Sequence, residues 1–492
     1  MTGAGMAAPR SAGIALATIL LMLITVLAIT TPWRPLPEAG SGGAVAAAPL
    51  RDFSAAQIER EDRYHRQIRP PAYASLVLGL LVAAALGLTT AGARLIELAG
   101  RPLGGGWVAQ VVLGGLALLL VTRLATVPLS VWAEVVRRRY GLSTREWSGW
   151  ALDWLRGLAV SGLLLALVAL LLFALIRWRP GSWWVPGAVG GAALVIILSF
   201  AYPLVVEPVF NRFTPLPAGQ LRTELLDMAE RDGVAVDEVL VADASRRTSA
   251  LNAYVSGFGS TRRIVVYDTL LSSATPAEVR LIVAHELGHA RRNDVLHGTL
   301  LGALALAGGV CALFLLLSCQ PLLRRAGVAE PADPRALALV LLLAAVGGQI
   351  AGPVQSLVSR RIEARADVHS LELTRDPSTF VSSHRRLALT NLSDLNPHPL
   401  VYGLFATHPT APERIALART WSRAAGMPEP PSTSRREPMN GTEPVADAAP
   451  DVDPGGASDS APGGASGSAP GGASDGAPDS TSDWAPGRGR DD

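Results

Sequence analysis

The stretch VAHELGHARRND, Val283 to Asp294, places two histidines four residues apart with a glutamate directly after the first. On a helix that spacing sends both imidazoles from one face, the disposition needed for two ligands of a single tetrahedral zinc. Glu286, turned about 100° from His285 around the helix, can approach a water at the open coordination position and take its proton as general base. The residues upstream supply a helix start, with Thr275 as cap, Pro276 at the first helical position and Glu278 completing a capping box. His285 and His289 are thereby expected about three turns into a well-started helix. Two histidines do not complete a hydrolytic metal site, so the rest of the chain must supply a third ligand.

That rest is unusually apolar. Of 492 residues 49% are hydrophobic and 17% charged, with mean hydropathy +0.31; soluble domains carry about a quarter charged residues, so a membrane protein is the expectation. The net charge of +2 gives no reason to expect a nucleic-acid partner. Every basic residue is arginine, a hint of a GC-rich genome. Cys311 and Cys319, eight apart in one apolar run, would lie roughly 12 Å apart along a helix, which excludes a mutual disulfide.

Seven apolar runs approach the roughly 20 residues that cross a bilayer, near 13–31, 74–95, 107–128, 157–176, 184–206, 298–319 and 335–357. The first follows Arg10 and could be a signal peptide. Its length and the poor cleavage sequence TTPWRPLP favour a retained helix. Arginines crowd the loops 32–73 and 129–156 and are sparser in the alternate loops, so the rich loops face the cytoplasm. Segment 207–297 and everything after 358 then share the cytoplasmic side, with a bilayer as surroundings.

The sequence divides accordingly: residues 1–206 with five spans, 207–297 as an α/β segment holding the motif helix, 298–357 with two further spans, and 358–425 completing the site. Within 207–297, AGQLRTELLDMAERDGV reads as a helix ending at Gly233, and EVLVAD, NAYVSGF and RRIVVYD as short strands. Residues 426–492 carry PGGASDSA-like repeats with almost no large apolar side chains and are expected to be a disordered tail.

The third ligand is not at position 295, where an extended HExxHxxGxxH motif would put it, because that residue is Val295. His297 is too far along a straight helix. After the last apolar run, SRRIEARAD sets Glu363 and Asp367 four apart, so Glu363 can ligate and Asp367 can hold a histidine N–H. Alone, this could be an ordinary charged helix face. The need for a third protein ligand and the shared side of the membrane select it. Asp294 closes the motif helix, and contact with a site histidine and a solvent-facing position are both open. His65, His369, His384 and His398 read as structural or solvated.

HELGH, EARAD, the stretch THPTAPERI (Thr407–Ile415), NAYVSGFGSTRRIVVYDTLL and EPVFNRFTPL together resemble the membrane gluzincins that include the CAAX prenyl endopeptidases and the HtpX-like proteases. The resemblance spans roughly residues 50 to 420, and seven spans suit the prenyl-endopeptidase branch better. It implies zinc held by His285, His289 and Glu363, Glu286 as base, Asp367 orienting a ligand, and His408 helping to stabilise the oxyanion. It also implies Asn252 and Ala253 pairing with the substrate backbone as an edge strand, and a supporting position for Arg414. The fold expected is mostly α, a polytopic membrane helix enclosure of about seven spans with a small α/β gluzincin-type zinc protease domain. The expected activity is that of an integral membrane zinc endopeptidase acting from the cytoplasmic side on peptides or membrane-protein segments. An HtpX-like quality-control protease and a zinc-containing membrane sensor or scaffold without turnover are the rivals.

Overall fold

The computed structural model describes residues 4–36, 43–257 and 262–432. The expected disordered tail lies, from residue 433 onward, outside the described residues. Among the described residues seven helices are long and apolar enough to cross a membrane: Ala8–Thr30, Ala55–Gly87, Trp107–Arg139, Trp147–Trp178, Trp184–Ala201, Asp294–Leu317 and Pro334–Thr374. In that order they are the first to seventh spans.

Six of them close a ring. The seventh packs on the second, the second on the third, the third on the fourth, the fourth on the fifth, the fifth on the sixth, and the sixth returns to the seventh. The first span lies outside against the sixth. Lipid provides no hydrophobic drive between helices, so close approach depends on small residues. A Cβ on Gly87 of the second span would lie 2.8 Å from Leu342 Cβ of the seventh, and one on Gly187 of the fifth would lie 3.2 Å from Val310 of the sixth.

Apolar length alone misplaces one boundary. The run near 74–95 is not one helix: the second span ends at Gly87, and a separate helix Thr90–Gly100 starts after Thr89, whose hydroxyl accepts from Ala91 N–H at 3.2 Å. Gly92 makes the turn possible, since a Cβ there would stand 2.3 Å from the Leu86 carbonyl oxygen and 2.6 Å from Ala338. Hydrophobicity runs unbroken across the bend because both arms pack on apolar neighbours, so no compositional change marks it.

Several spanning helices outrun the membrane. A helix of 33 residues is about 50 Å long, against a hydrocarbon core of about 30 Å, and the second and third spans each have 33. The seventh continues without interruption from Leu337 to Thr374, so Glu363 and Asp367 ride on the same rigid rod that crosses the bilayer.

Between the fifth and sixth spans lies a four-stranded sheet, β1 Phe213–Pro215, β2 Glu238–Ala242, β3 Ala253–Ser256 and β4 Arg263–Tyr267, in the order β1-β2-β4-β3. β2 and β4 are parallel, with Leu240 opposite Val265, and the two outer pairings are antiparallel. A helix Gln220–Arg231 precedes β2 and is closed by Gly233 at φ +71°. One face of the sheet buries Val239, Ile264, Val266 and Ala253 against Val283, Ala284 and Leu287 of the motif helix. β3 is one of the two edge strands and lies directly on that helix.

Candidate metal centre

The motif helix runs from Pro276 to Arg292, and its capping box is formed as the sequence expects, with Thr275 accepting from Glu278 N–H and Glu278 accepting from Thr275 N–H at 2.9 Å. The cap fixes the helix phase so that Val283, Ala284 and Leu287 enter the sheet core while His285, Glu286 and His289 turn toward the seventh-span helix. Gly288 allows the two helices to cross. A Cβ there would sit 3.0 to 3.2 Å from the His369 ring, which is itself held by Asp232 at 3.0 Å. The helix ends at Asn293, in the left-handed region at φ 52°, and the sixth span starts at once with Asp294. Asparagine is among the few side chains that take this conformation readily.

His285, His289 and Glu363 each bring one ligand atom to the same point, all within 4.8 Å of one another. The individual separations are 3.2 Å between the two Nε2 atoms, 3.2 Å from His285 Nε2 to Glu363 Oε2 and 3.4 Å from His289 Nε2 to Glu363 Oε1. Ligands at 2.0–2.2 Å from a tetrahedral zinc are spaced by about 3.3 to 3.6 Å, so the triangle fits such an ion closely. Hydrogen bonding supports the same conclusion. His285 Nδ1 faces Asp367 Oδ1 at 2.9 Å and His289 Nδ1 faces Asp294 Oδ2 at 3.0 Å. Each carboxylate can only accept, so each Nδ1 carries the proton and both Nε2 lone pairs point at one another. Glu363 Oε2 is buried without a hydrogen-bond partner. Two opposed lone pairs and an orphaned carboxylate oxygen are the arrangement a cation resolves.

Burial disfavours charge on His285 and His289, but the carboxylates around them outweigh it, Asp367 and Glu363 at His285 and Glu363 with Asp294 at His289; both pKa values lie above the ordinary imidazole value. Protons and metal therefore compete for the same nitrogens, and metal binding weakens as the pH falls. Glu286 lies beside them, its pKa raised by burial and held back by the two imidazoles.

The partners around the triangle extend the sequence reading. Asp367, fully buried, also accepts from Arg414 Nε at 2.8 Å and from its Nη2, so Arg414 anchors the carboxylate that orients His285. Asp294 is 4% exposed and not solvent-facing; Arg365 pairs with its second oxygen. Each histidine thus has its own carboxylate, and each carboxylate its own arginine. No spacing rule shows the second pair, because it depends on the left-handed turn at Asn293. Such partners typically set metal affinity by 10- to 100-fold. Asp294→Asn is expected to weaken metal binding by about that factor with the melting temperature little changed; competition with a chromophoric chelator measures it, and unaltered affinity would remove Asp294 from the site.

His408 stands beside the triangle, Nε2 3.3 Å from Glu363 Oε2 and Nδ1 3.1 Å from Thr407 Oγ1. Burial lowers its pKa against the pull of Glu363. Asn252 and Ala253 lie at the start of the edge strand. The Asn252 carbonyl accepts from Tyr267 N–H at 3.0 Å, while its side-chain oxygen accepts from Ala253 N–H at 2.9 Å. The other histidines hold structure: His65 bonds the Leu392 carbonyl, His384 that of Phe380, and His398 caps a short helix. Burial pushes the His384 pKa down to about 3.

Comparison with known proteins places the chain in a family. Residues 215–422 match peptidase family M48, and residues 47–212 match the amino-terminal domain of CAAX prenyl proteases, described as five membrane helices. The chain is 33% identical over 306 residues to YhfN of Bacillus subtilis, an uncharacterized metalloprotease, covering 61% of this chain and 71% of that one. It is 25% identical over 321 residues to CAAX prenyl protease 1 of Saccharomyces cerevisiae, covering 60% and 69%, and 30% identical over 232 residues to a CAAX prenyl protease 1 homolog of Oryza sativa, of which it spans 53%. The crystal structure of Ste24p from S. mikatae shares the fold at TM-score 0.67 and 20% identity, over 83% of this chain and 98% of that one. A ring of spanning helices, a small sheet and a clustered His–His–Glu triangle are thus joined in one chain that belongs to peptidase family M48, a multi-pass membrane metallopeptidase with the five-helix amino-terminal domain of the CAAX prenyl proteases.

Proposed function

We propose that this metallopeptidase is a zinc endopeptidase that cleaves peptides or membrane-protein segments reaching it from the cytoplasmic side. The observation that carries the reading is the meeting of His285, His289 and Glu363 at tetrahedral spacing with Glu286 and His408 beside them. Bound zinc would supply Lewis-acid activation of water and of the scissile carbonyl. The rest falls to the protein. Glu286 takes the proton of the attacking water and passes it to the departing amine; burial raises its pKa. His408 donates from Nε2 to the carbonyl oxygen as charge develops there. Asp367 and Asp294 keep both ligand histidines in the tautomer that leaves Nε2 free.

Substrate would add to the open edge of β3. In an antiparallel pair alternate residues face the partner. Asn252 bonds Tyr267 of β4, so Ala253 and Val255 direct their N–H and C=O groups outward. The Asn252 side chain covers the Ala253 N–H meanwhile, a way of blunting an open edge, and would give it up to a substrate carbonyl. Main-chain pairing of this kind accepts many sequences. The orientation rests on the arginine-rich loops and on the polar extensions of the second, third and seventh spans, all on the side of the metal site.

Two other readings are weaker. The five-helix match supports the prenyl-protease branch over an HtpX-like one. A sensor or scaffold has no use for a base beside its metal. Cleavage of casein or a model peptide by the purified protein, with Glu286→Gln as control, tests the proposal.

A further inference from the structure

The segment leading into β3 is tied at every residue. Thr248 Oγ1 donates to the Leu142 carbonyl at 3.0 Å and Ser249 Oγ to that of Gly141 at 2.9 Å, both in the loop after the third span. Thr269 Oγ1 donates to the Ala250 carbonyl at 2.7 Å. Leu251 is held differently. Its N–H donates to Asn391 Oδ1 at 2.9 Å, and its carbonyl accepts from Asn391 Nδ2 at 3.2 Å. One side-chain amide thus makes both bonds that a paired strand would make.

The direction of these bonds matters. Asn252 faces β4, so Leu251, like Ala253 and Val255, faces the open edge. Asn391 therefore occupies the line along which an added strand would run, one strand position beyond Ala253. It is also firmly mounted. The next residue, Leu392, is 1% exposed among Tyr64, Val136 and Leu142 of the membrane region, and His65 donates to its carbonyl at 2.9 Å. Leu392 adopts φ 51°, a strained conformation for a leucine, which the surrounding packing sustains.

We propose that Asn391 is a positioning residue that closes the open edge of β3 at Leu251 and so fixes where the paired segment of a peptide substrate ends. The inference rests on the reading of β3 as the substrate's partner strand. Asn391 touches neither the metal triangle nor the scissile bond; it sets the register in which a peptide can lie against Ala253 and Val255.

A series of model peptides, each N-methylated at one backbone amide, tests this. In the wild-type enzyme, methylation of an amide paired to β3 is expected to raise KM about tenfold, the loss of one hydrogen bond, and no amide beyond the Leu251 end should be sensitive. Asn391→Ala frees both Leu251 groups, so sensitivity should spread to at least one further amide at that end. Asn391→Ser, too short to reach Leu251, replaces the alanine variant if that one does not fold. An unchanged pattern in a folded, cleaving alanine or serine variant overturns the proposal and leaves the β3 reading standing. Insensitivity at every amide in the wild type removes the β3 reading itself.

Discussion

Glu286→Gln is expected to lower kcat/KM on a model peptide by about 10²–10⁴-fold, the usual contribution of a positioned general base, while metal content and melting temperature stay near wild type. The amide has the size of the carboxylate and cannot accept the proton of an attacking water. None of the three ligand atoms is altered, and the helix phase is set by the Thr275–Glu278 cap and by Val283, Ala284 and Leu287 in the sheet core, which the substitution leaves alone. Loss of both metal and activity would instead make Glu286 a structural member of the site. Cleavage persisting at the wild-type rate would assign the activity to another centre. The same pair of proteins separates an enzyme from a sensor, since only an enzyme loses turnover with its metal in place.

The second large effect concerns stability. Asp52, in the loop after the first span, and Arg419, on the helix Ala411–Ala424, form a buried pair, 2% and 1% exposed, with Nη1 2.6 Å from Oδ2 and Nη2 on Oδ1. Arg419 also donates to the carbonyls of Pro430 and Pro431, and Phe53 and Trp421 pack beside the pair. Asp52→Ala removes the carboxylate hydrogen-bonded to the buried guanidinium and leaves it only Glu429, 4.0 Å from Nε, a loss of about 3–5 kcal/mol for such pairs. Thermal melting of the purified protein should show it. Replacing both residues together, Asp52→Leu with Arg419→Met, should recover most of the loss, because two apolar groups leave no stranded charge. The effect should reach the metal site as well: the helix that carries Arg419 also carries Arg414, the anchor of Asp367, and its first turn follows His408. A melting temperature unchanged by Asp52→Ala would show that the pair contributes nothing.

Much of the candidate site is legible in the sequence, because local rules place its residues. His285, Glu286 and His289 lie within one turn of a helix whose start is written in Thr275, Pro276 and Glu278. Local rules suffice there, and the structure places the three where those rules put them. Glu363 and Asp367 needed one further step, the shared side of the membrane, and the structure brings both to the histidines. The seven spans follow from length and hydropathy. What escaped depends on contacts between distant parts or on a local bend. Asp294 reaches His289 only because Asn293 turns left-handed. The break after Gly87 leaves no mark in an apolar run that packs on both arms. Asn391 meets Leu251 across 140 residues, and nothing in NLSDL distinguishes a clamp from an ordinary helix end.

Metal content by elemental analysis of the wild type, Glu286→Gln and Glu363→Ala, purified side by side, tests most directly the claim that one ion is shared by the motif helix and the far end of the seventh span. About one equivalent of zinc per chain is expected in the first two proteins, and well under half of that in Glu363→Ala. A full equivalent retained in Glu363→Ala would contradict the account, since the carboxylate on the spanning rod would then have no part in holding the ion.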